Sequence, residues 1–251
     1  MGSGQPGTGR QPRPYDGSLT AAVRMGIQPL HRDIARIVLT AVAGHRAALG
    51  GGNALLVHQV TSRGTMDVDV FFGRLEDVAR CAPVIEAALG AAGYAVASSP
   101  DDGDLAAIWP EAGEGLAEWE VTTPDGAHVT QVQAAYFELL AEPVTVPGIG
   151  PVVAMDDAAG YKTHALASRM LARDFADVAE LIAAGFAPGE LIRLARQRDP
   201  GLEPADFADA GRHLDRLPDG RLAQVLPPGR DVPWLRAQFA AWPREAPPRR
   251  E

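Results

Sequence analysis

Hydrophobic positions along the chain change period several times, and those changes outline the fold. Over residues 27–49 the apolar side chains Leu30, Ile34, Ile37, Val38, Ala41 and Val42 recur at helical spacing, which predicts a first helix. Residues 50–60 (GGGNALLVHQV) read as a tight glycine turn opening a second helix. Residues 65–72 (TMDVDVFF) alternate acidic and apolar positions, the period of a strand with two unlike faces. Helical spacing returns over 76–89, and 94–97 suits a short strand. Between 105 and 136 the period is two again. There, 117–122 and 128–133 flank Pro124-Asp125-Gly126, which predicts a hairpin. Residues 144–153, interrupted by Pro147 and Gly148, predict a second one. Beyond 156 the pattern is almost continuously helical, over 156–172, 174–184, 189–196 and 204–217, with a last helix at 232–242. Gly185, Pro188 and Asp199-Pro200-Gly201 divide these helices. The layout predicts an α+β fold: a core over 19–155, then a helical C-terminal domain over 156–243. Unpatterned tails fill 1–18 and 244–251.

Composition narrows the function classes. A chain of 251 residues that is 46% hydrophobic can bury a core without covalent staples. Its one cysteine, Cys81, excludes a disulfide framework and reads as a core or surface residue of the third helix. No Cys/His cluster suits structural zinc. No apolar run approaches the ~20 residues of a membrane span, and the start lacks the apolar stretch of a secretory signal. No membrane association and a cytoplasmic location are therefore expected. The net charge of −9 argues against a general nucleic-acid-coating protein. It leaves room for a local arginine patch, such as Arg193, Arg196 and Arg198, or Arg212 and Arg216. Of the 23 basic residues, Lys162 alone is a lysine.

The candidate chemistry lies in the acidic strand and the glycine turn before it. Residues two apart in a strand share a face, so Asp67 and Asp69 project side by side. Like charges held together are unfavourable unless a cation sits between them, and Mg²⁺ prefers hard oxygen ligands of this kind. Alone, such a pair is more often the solvated face of an edge strand. Upstream, Gly51-Gly52-Asn53 opens a helix whose backbone N–H groups suit phosphate, with Asn53 as a candidate cap. Turn and acid pair together describe a triphosphate cradle facing a metal site.

The segment GGNALLVHQVTSRGTMDVDVFF resembles the signature of the nucleotidyltransferase superfamily. In detail it is similar to the AbiEii/AbiGii-type toxin family of type IV toxin–antitoxin systems, with Gly51, Gly52, Ala54, Leu55, Arg63, Thr65, Asp67 and Asp69 at the family's positions. A second block, YKTHALASRMLARDFADVAELI, places Lys162, Arg169, Arg173, Asp174 and Asp177 at the positions of its helical motif. The resemblance implies a polymerase-β-like mixed-sheet core and transfer of a nucleotide from an NTP. One or two Mg²⁺ would sit on Asp67 and Asp69, with Lys162 and Asp177 completing the catalytic set. The nucleotide would lie against Gly51, Gly52, Asn53, Arg63, Thr65 and Lys162. It further implies an acceptor such as tRNA or another RNA, a role in abortive infection, and an antitoxin protein encoded nearby.

Several residues have a plainer reading beside this one. Arg63 either reaches phosphate or packs the turn, Asp174 either serves the motif or caps a helix, and Asp174 with Asp177 can form a solvated face. Asp177 can also fold back to pair with Lys162. His58 and His164 read as partner-satisfied or surface histidines, and Trp234 and Trp242 as core of the last helix. One departure from the superfamily pattern matters. The strand AHVTQVQAAY carries Gln131 and Gln133 where a third carboxylate is expected, and the sequence offers no choice among Glu118, Glu120 and Asp125 as a replacement. Glutamine can orient a water or hydroxyl but cannot act as a base. An enzyme with fewer carboxylates, a catalytically impaired nucleotide- or partner-binding relative, and a transferase acting on a small hydroxyl compound such as a drug all remain open.

Overall fold

The computed structural model describes residues 26–98 and 115–246. The predicted tail at 1–18, the end from 247, and the two-fold pattern over 105–114 lie outside the described residues. Helix α1 (Pro29–Ala41) leads into β1 (Ala47–Leu49), α2 (Gly51–Val57), β2 (Asp67–Phe72), α3 (Leu75–Ala91) and β3 (Ala95–Ser98). The hairpin β4 (Leu116–Thr122) and β5 (Val129–Tyr136) follows, then the hairpin β6 (Val144–Val146) and β7 (Gly150–Val152). The remainder is α4 (Met155–Arg169), α5 (Ala172–Ala183), α6 (Pro188–Arg198), α7 (Pro204–Arg216), α8 (Asp219–Ala223) and α9 (Val232–Gln238), with a 3₁₀ turn at Phe239–Ala241. No helix among the described residues is long and apolar enough to cross a membrane.

The seven strands form one mixed sheet in the order β3-β4-β5-β2-β1-β7-β6. The acidic strand β2 is therefore the middle strand, parallel to β5 and antiparallel to β1, and not the solvated edge that a bare Asp-x-Asp suggests. Its alternation separates two environments. Val68 and Val70 share the buried face with Val132, Ala134, Trp119 and Val121. That face packs against α1 and α3, and Trp119 Nε1 donates to Glu86 Oε1 of α3 at 2.6 Å. On the opposite face, Phe71 packs against Phe137 and Tyr161, which joins the sheet to α4. The buried apolar residues of sheet and helical part form one cluster from Ile27 to Trp242.

The predicted first helix ends early, at Ala41, and after a turn its last three residues form strand β1 instead. All three residues of β1 are buried, and an inner strand covered on both faces shows no alternation to betray it. The helix expected over 156–172 stops at Arg169, where Met170 takes a left-handed conformation (φ 52°). Residue 244 is not part of a loose tail, since the Arg244 guanidinium forks onto Asp215 at 3.0 and 3.1 Å. Trp242 is buried as expected but follows the helix, while Trp234 is only partly buried beneath the Arg230 guanidinium.

Arg198 does not belong to a surface arginine patch. Its side chain is buried between α4 and α6, paired with buried Asp157 and lying 4.7 Å from the centre of the Tyr161 ring. Gly160 makes the room, because a Cβ there would stand 2.7 Å from Arg198 Nη1. Arg193, Arg196 and Arg216 remain exposed, whereas Arg212 is taken up by Asp209 and the Arg244 carbonyl. Truncating Arg198 to Ala leaves the buried Asp157 carboxylate with the Ala141 N–H but without its cation. A loss of about 3–5 kcal/mol is expected in urea unfolding, against little change for Arg193→Ala.

Candidate active site

The site forms where β1 hands the chain to α2 beside the middle strand. Gly50 N–H donates to the Asp69 carbonyl at 2.8 Å, and the chain then turns through Gly51 at φ +58°. A side chain at Gly51 would coincide with Oδ2 of Asp69, so both the conformation and the close approach require glycine. At Gly52 an added Cβ would lie 3.1 Å from the Thr65 hydroxyl. Asn53 is buried and does not cap α2; its Nδ2 donates to the Asp67 carbonyl at 2.8 Å, fixing the turn to the strand. Thr65, buried, donates its hydroxyl to Asp67 Oδ1 and holds that carboxylate in place. The structure thus ties the side chains of Asn53 and Thr65 to the aspartate strand.

A further support lies beneath, and no motif announced it. Thr130 Oγ1 donates to the Met66 carbonyl at 2.7 Å and stands 3.2 Å from Nε2 of buried His31 on α1. Burial pushes the His31 pKa down, against the opposing pull of Asp67 and Asn53. A single polar residue on the apolar face of a helix carries no sequence signal of such a role.

Opposite the aspartates stands a basic cluster from the helical part. Lys162 Nζ on α4 lies 2.8 Å from Asp177 Oδ2 on α5, the fold-back pairing that the sequence allowed. Arg63 approaches Oδ1 of the same carboxylate through Nη2 at 2.7 Å and Nε at 3.3 Å. Arg63 is therefore committed to Asp177, which ties the segment before β2 to α5. Burial would raise the pKa of Asp177, but Lys162 and Arg63 outweigh it and hold the carboxyl below its ordinary value. Arg169 forks onto buried Asp174 at 2.8 and 3.0 Å, and Asp174 also accepts the Leu171 N–H at 3.1 Å, capping α5. Asp174 and Asp177 are both buried, so neither forms a solvated face. Arg173 is exposed and makes no ion pair among the described residues.

Electrostatics converge on Asp69. Burial first, then the neighbouring charge of Asp67, push its pKa up to about 6, while Lys162, Arg173 and Arg169 pull the other way. A carboxylate pair strained in this manner gains from a cation. Among the described residues no third His, Cys, Asp or Glu joins the pair to form a three-ligand cluster. Two hard carboxylates nonetheless fit Mg²⁺, which commonly takes one or two carboxylates and fills its shell with substrate phosphate oxygens and water.

Strand β5 brings the two glutamines to the same face. Gln131 pairs in register with Asp67 and Gln133 with Asp69. On the next strand Glu120 and Glu118 continue the two rows, and Gln133 Nε2 donates to Glu118 Oε1. Asp125 is engaged in the hairpin turn, accepting from Thr123 and Ala127. His58 and His164 are both partnered as expected, with the Val153 carbonyl at 2.8 Å and Asp199 at 3.3 Å. Cys81 is buried in the core.

Two measurements check this geometry. Asp67→Asn removes the like charge beside Asp69, so the Asp69 carboxyl should titrate below 6 in metal-free protein, yet above an ordinary aspartate because burial remains. Carboxyl-carbon NMR over pH 3–8 reads it, and an unmoved midpoint would contradict the pairing. A methyl at Gly51 must displace the Asp69 carboxylate, so Gly51→Ala should lower Mn²⁺ affinity by about tenfold or more in calorimetry.

A family model described as nucleotidyl transferase AbiEii toxin, type IV TA system, matches residues 32–220. Among solved structures, JHP933 from Helicobacter pylori superposes with a TM-score of 0.54 at 14% identity, over 86% of this chain and 91% of that one. MenT4, a nucleotidyltransferase toxin from Mycobacterium tuberculosis, superposes with a TM-score of 0.52 at 22% identity, over 84% and 82% of the two chains. No curated protein matches the sequence significantly. At such identities the superpositions show a shared fold. The family model spans most of the chain and both motif blocks, and the protein belongs to the AbiEii family of nucleotidyltransferase toxins of type IV toxin–antitoxin systems.

Proposed function

We propose that this toxin uses Mg²⁺ and an NTP to add a nucleotide to a hydroxyl of an RNA, tRNA being the first acceptor to test, and that a cognate antitoxin protein restrains it. The observation that carries the reading is the meeting of two groups from distant parts of the chain. Asp69, with its pKa raised to about 6, lies within the electrostatic reach of Lys162, whose ammonium is anchored on buried Asp177. A divalent ion, if held by the carboxylates of Asp67 and Asp69, would supply charge neutralisation to the triphosphate and make the attacking hydroxyl easier to ionise.

This chain's own residues do the positioning. Asp67, steadied by Thr65, and Asp69, packed on Gly51, present carboxylate oxygens on one face of the middle strand. Lys162 keeps N–H donors for a phosphate oxygen after binding Asp177, and Arg63 on the other oxygen fixes that carboxylate. Exposed Arg173, unpaired among the described residues, is the cation able to swing onto the outer phosphates. The acceptor oxygen bonds the α-phosphorus, the bond from that phosphorus to the bridging oxygen breaks, and pyrophosphate leaves. Exposed Arg193, Arg196 and Arg216 offer an RNA a positive surface despite the overall acidity.

A second reading, a nucleotide-binding relative without turnover, draws on Gln131 and Gln133 standing in register with Asp67 and Asp69. One experiment separates the two. Purified protein is incubated with Mg²⁺, each α-labelled NTP in turn, and total RNA. Label should appear on RNA with at least one NTP, and Asp69→Ala should lower the rate by about a hundredfold or more. Transfer from no NTP, with Mg²⁺-dependent NTP binding retained, selects the second reading. Lys162→Arg replaces a compact ammonium by a broad planar fork. It should slow transfer by about tenfold or more at an unchanged melting temperature, and full activity would make the ammonium dispensable.

A further inference from the structure

The hydroxyl that attacks the nucleotide must be held by an oxygen acceptor near the aspartate pair, and the strand that should supply one carries glutamines. Of the two, Gln133 is the one whose amide is fixed. It stands between Asp69 on β2 and Glu118 on β4, in register with both, and its Nε2 donates to Glu118 Oε1. An ionised carboxylate can only accept, so the amide can meet Glu118 only through its NH₂ group. Turning the amide over would set Oε1 against Oε1, two acceptors facing each other. Glu118 therefore dictates which end of Gln133 is left for the site, and that end is the carbonyl oxygen. In the neighbouring row no hydrogen bond joins Glu120 to Gln131 among the described residues, and both are exposed.

We propose that Glu118 is a positioning residue that locks Gln133 with its carbonyl oxygen toward the aspartate pair, where that oxygen accepts a hydrogen bond from the acceptor hydroxyl and aligns it for attack. The inference rests on the nucleotidyl transfer proposed above. The hydroxyl oxygen bonds the α-phosphorus as pyrophosphate departs, and the hydroxyl proton passes to solvent water, because an amide can hold a proton donor but not take its proton. On this account the lack of a third carboxylate does not silence the enzyme; a neutral oxygen held by a neighbouring acid takes that place.

The test compares wild type, Glu118→Ala, Gln133→Glu and the swapped double variant Glu118→Gln/Gln133→Glu. Each is assayed with α-labelled NTPs and total RNA, for Mn²⁺-dependent NTP affinity, and for melting temperature. Glu118→Ala frees the amide to rotate and should lower the maximal transfer rate by about tenfold, with NTP affinity and melting temperature unchanged. Gln133→Glu alone sets two carboxylates against each other and should be at least as slow. The swap restores one amide donating to one carboxylate, and again leaves an oxygen at position 133 facing the site. Its rate should return to within about threefold of wild type. Wild-type transfer by Glu118→Ala overturns the inference alone, as does a swap that melts like wild type but stays as slow as Gln133→Glu. Absence of transfer by the wild-type chain overturns the reading beneath it.

Discussion

Two carboxylates, two residues apart on the central strand, repel each other, and much of the structure serves to hold them together. Asp67 and Asp69 cannot separate, because Val68 and Val70 between and beyond them are locked into the core. Thr65 fixes one carboxylate, and the glycine turn leaves just enough room for the other. Asn53 and the Thr130–His31 pair fasten the start of the strand from behind. Burial and repulsion together carry the Asp69 pKa to about 6, so holding both carboxylates ionised is unfavourable.

The helical part and the segment before β2 answer that negative charge with an ordered set of cations. Each has a different degree of freedom. Arg63 and Arg169 are spent on buried aspartates and act as struts. Lys162 is anchored on one side only, and Arg173 is paired with nothing among the described residues. A gradient from fixed to free suits the triphosphate site proposed above, which needs both a fixed shape and a mobile grip. Asp177 is the joint of the arrangement, since one buried carboxylate binds cations from the strand side and from the helical side at once. Its low pKa keeps that joint charged at any pH where Asp69 is also ionised.

The two halves of the chain are thus linked by chemistry as well as by packing. Phe71 on β2 meets Tyr161 on α4 edge to face, one position before Lys162, and Tyr161 in turn lies beneath the buried Arg198. Packing of the sheet on α4 therefore sets where the lysine can stand. The conversion of Arg198 from an expected surface cation to a buried strut is the structural counterpart of this linkage.

Periodicity, turn residues and the two motif blocks were enough to read from the sequence the acidic strand, both hairpins, five of the helices after 155, and the family itself. The side-by-side placing of Asp67 and Asp69 was legible from strand spacing, whereas Lys162 and Asp177 were singled out by the family resemblance and their pairing by the possible fold-back between two helices. Strand β1 was not, because a strand buried on both faces has the same apolar run as a helix end. The partners of Asn53, Thr65 and Arg63 were not legible either. Short polar side chains satisfy whatever buried group comes near, and nearness across 14 or 114 residues is set by the folded chain. The same holds for Glu118. By itself the sequence showed only that a glutamine replaced an acid and that several acids were at hand. Strand register alone selected the one that fixes the amide, because pairing between β2, β5 and β4 is a tertiary outcome that no local pattern encodes.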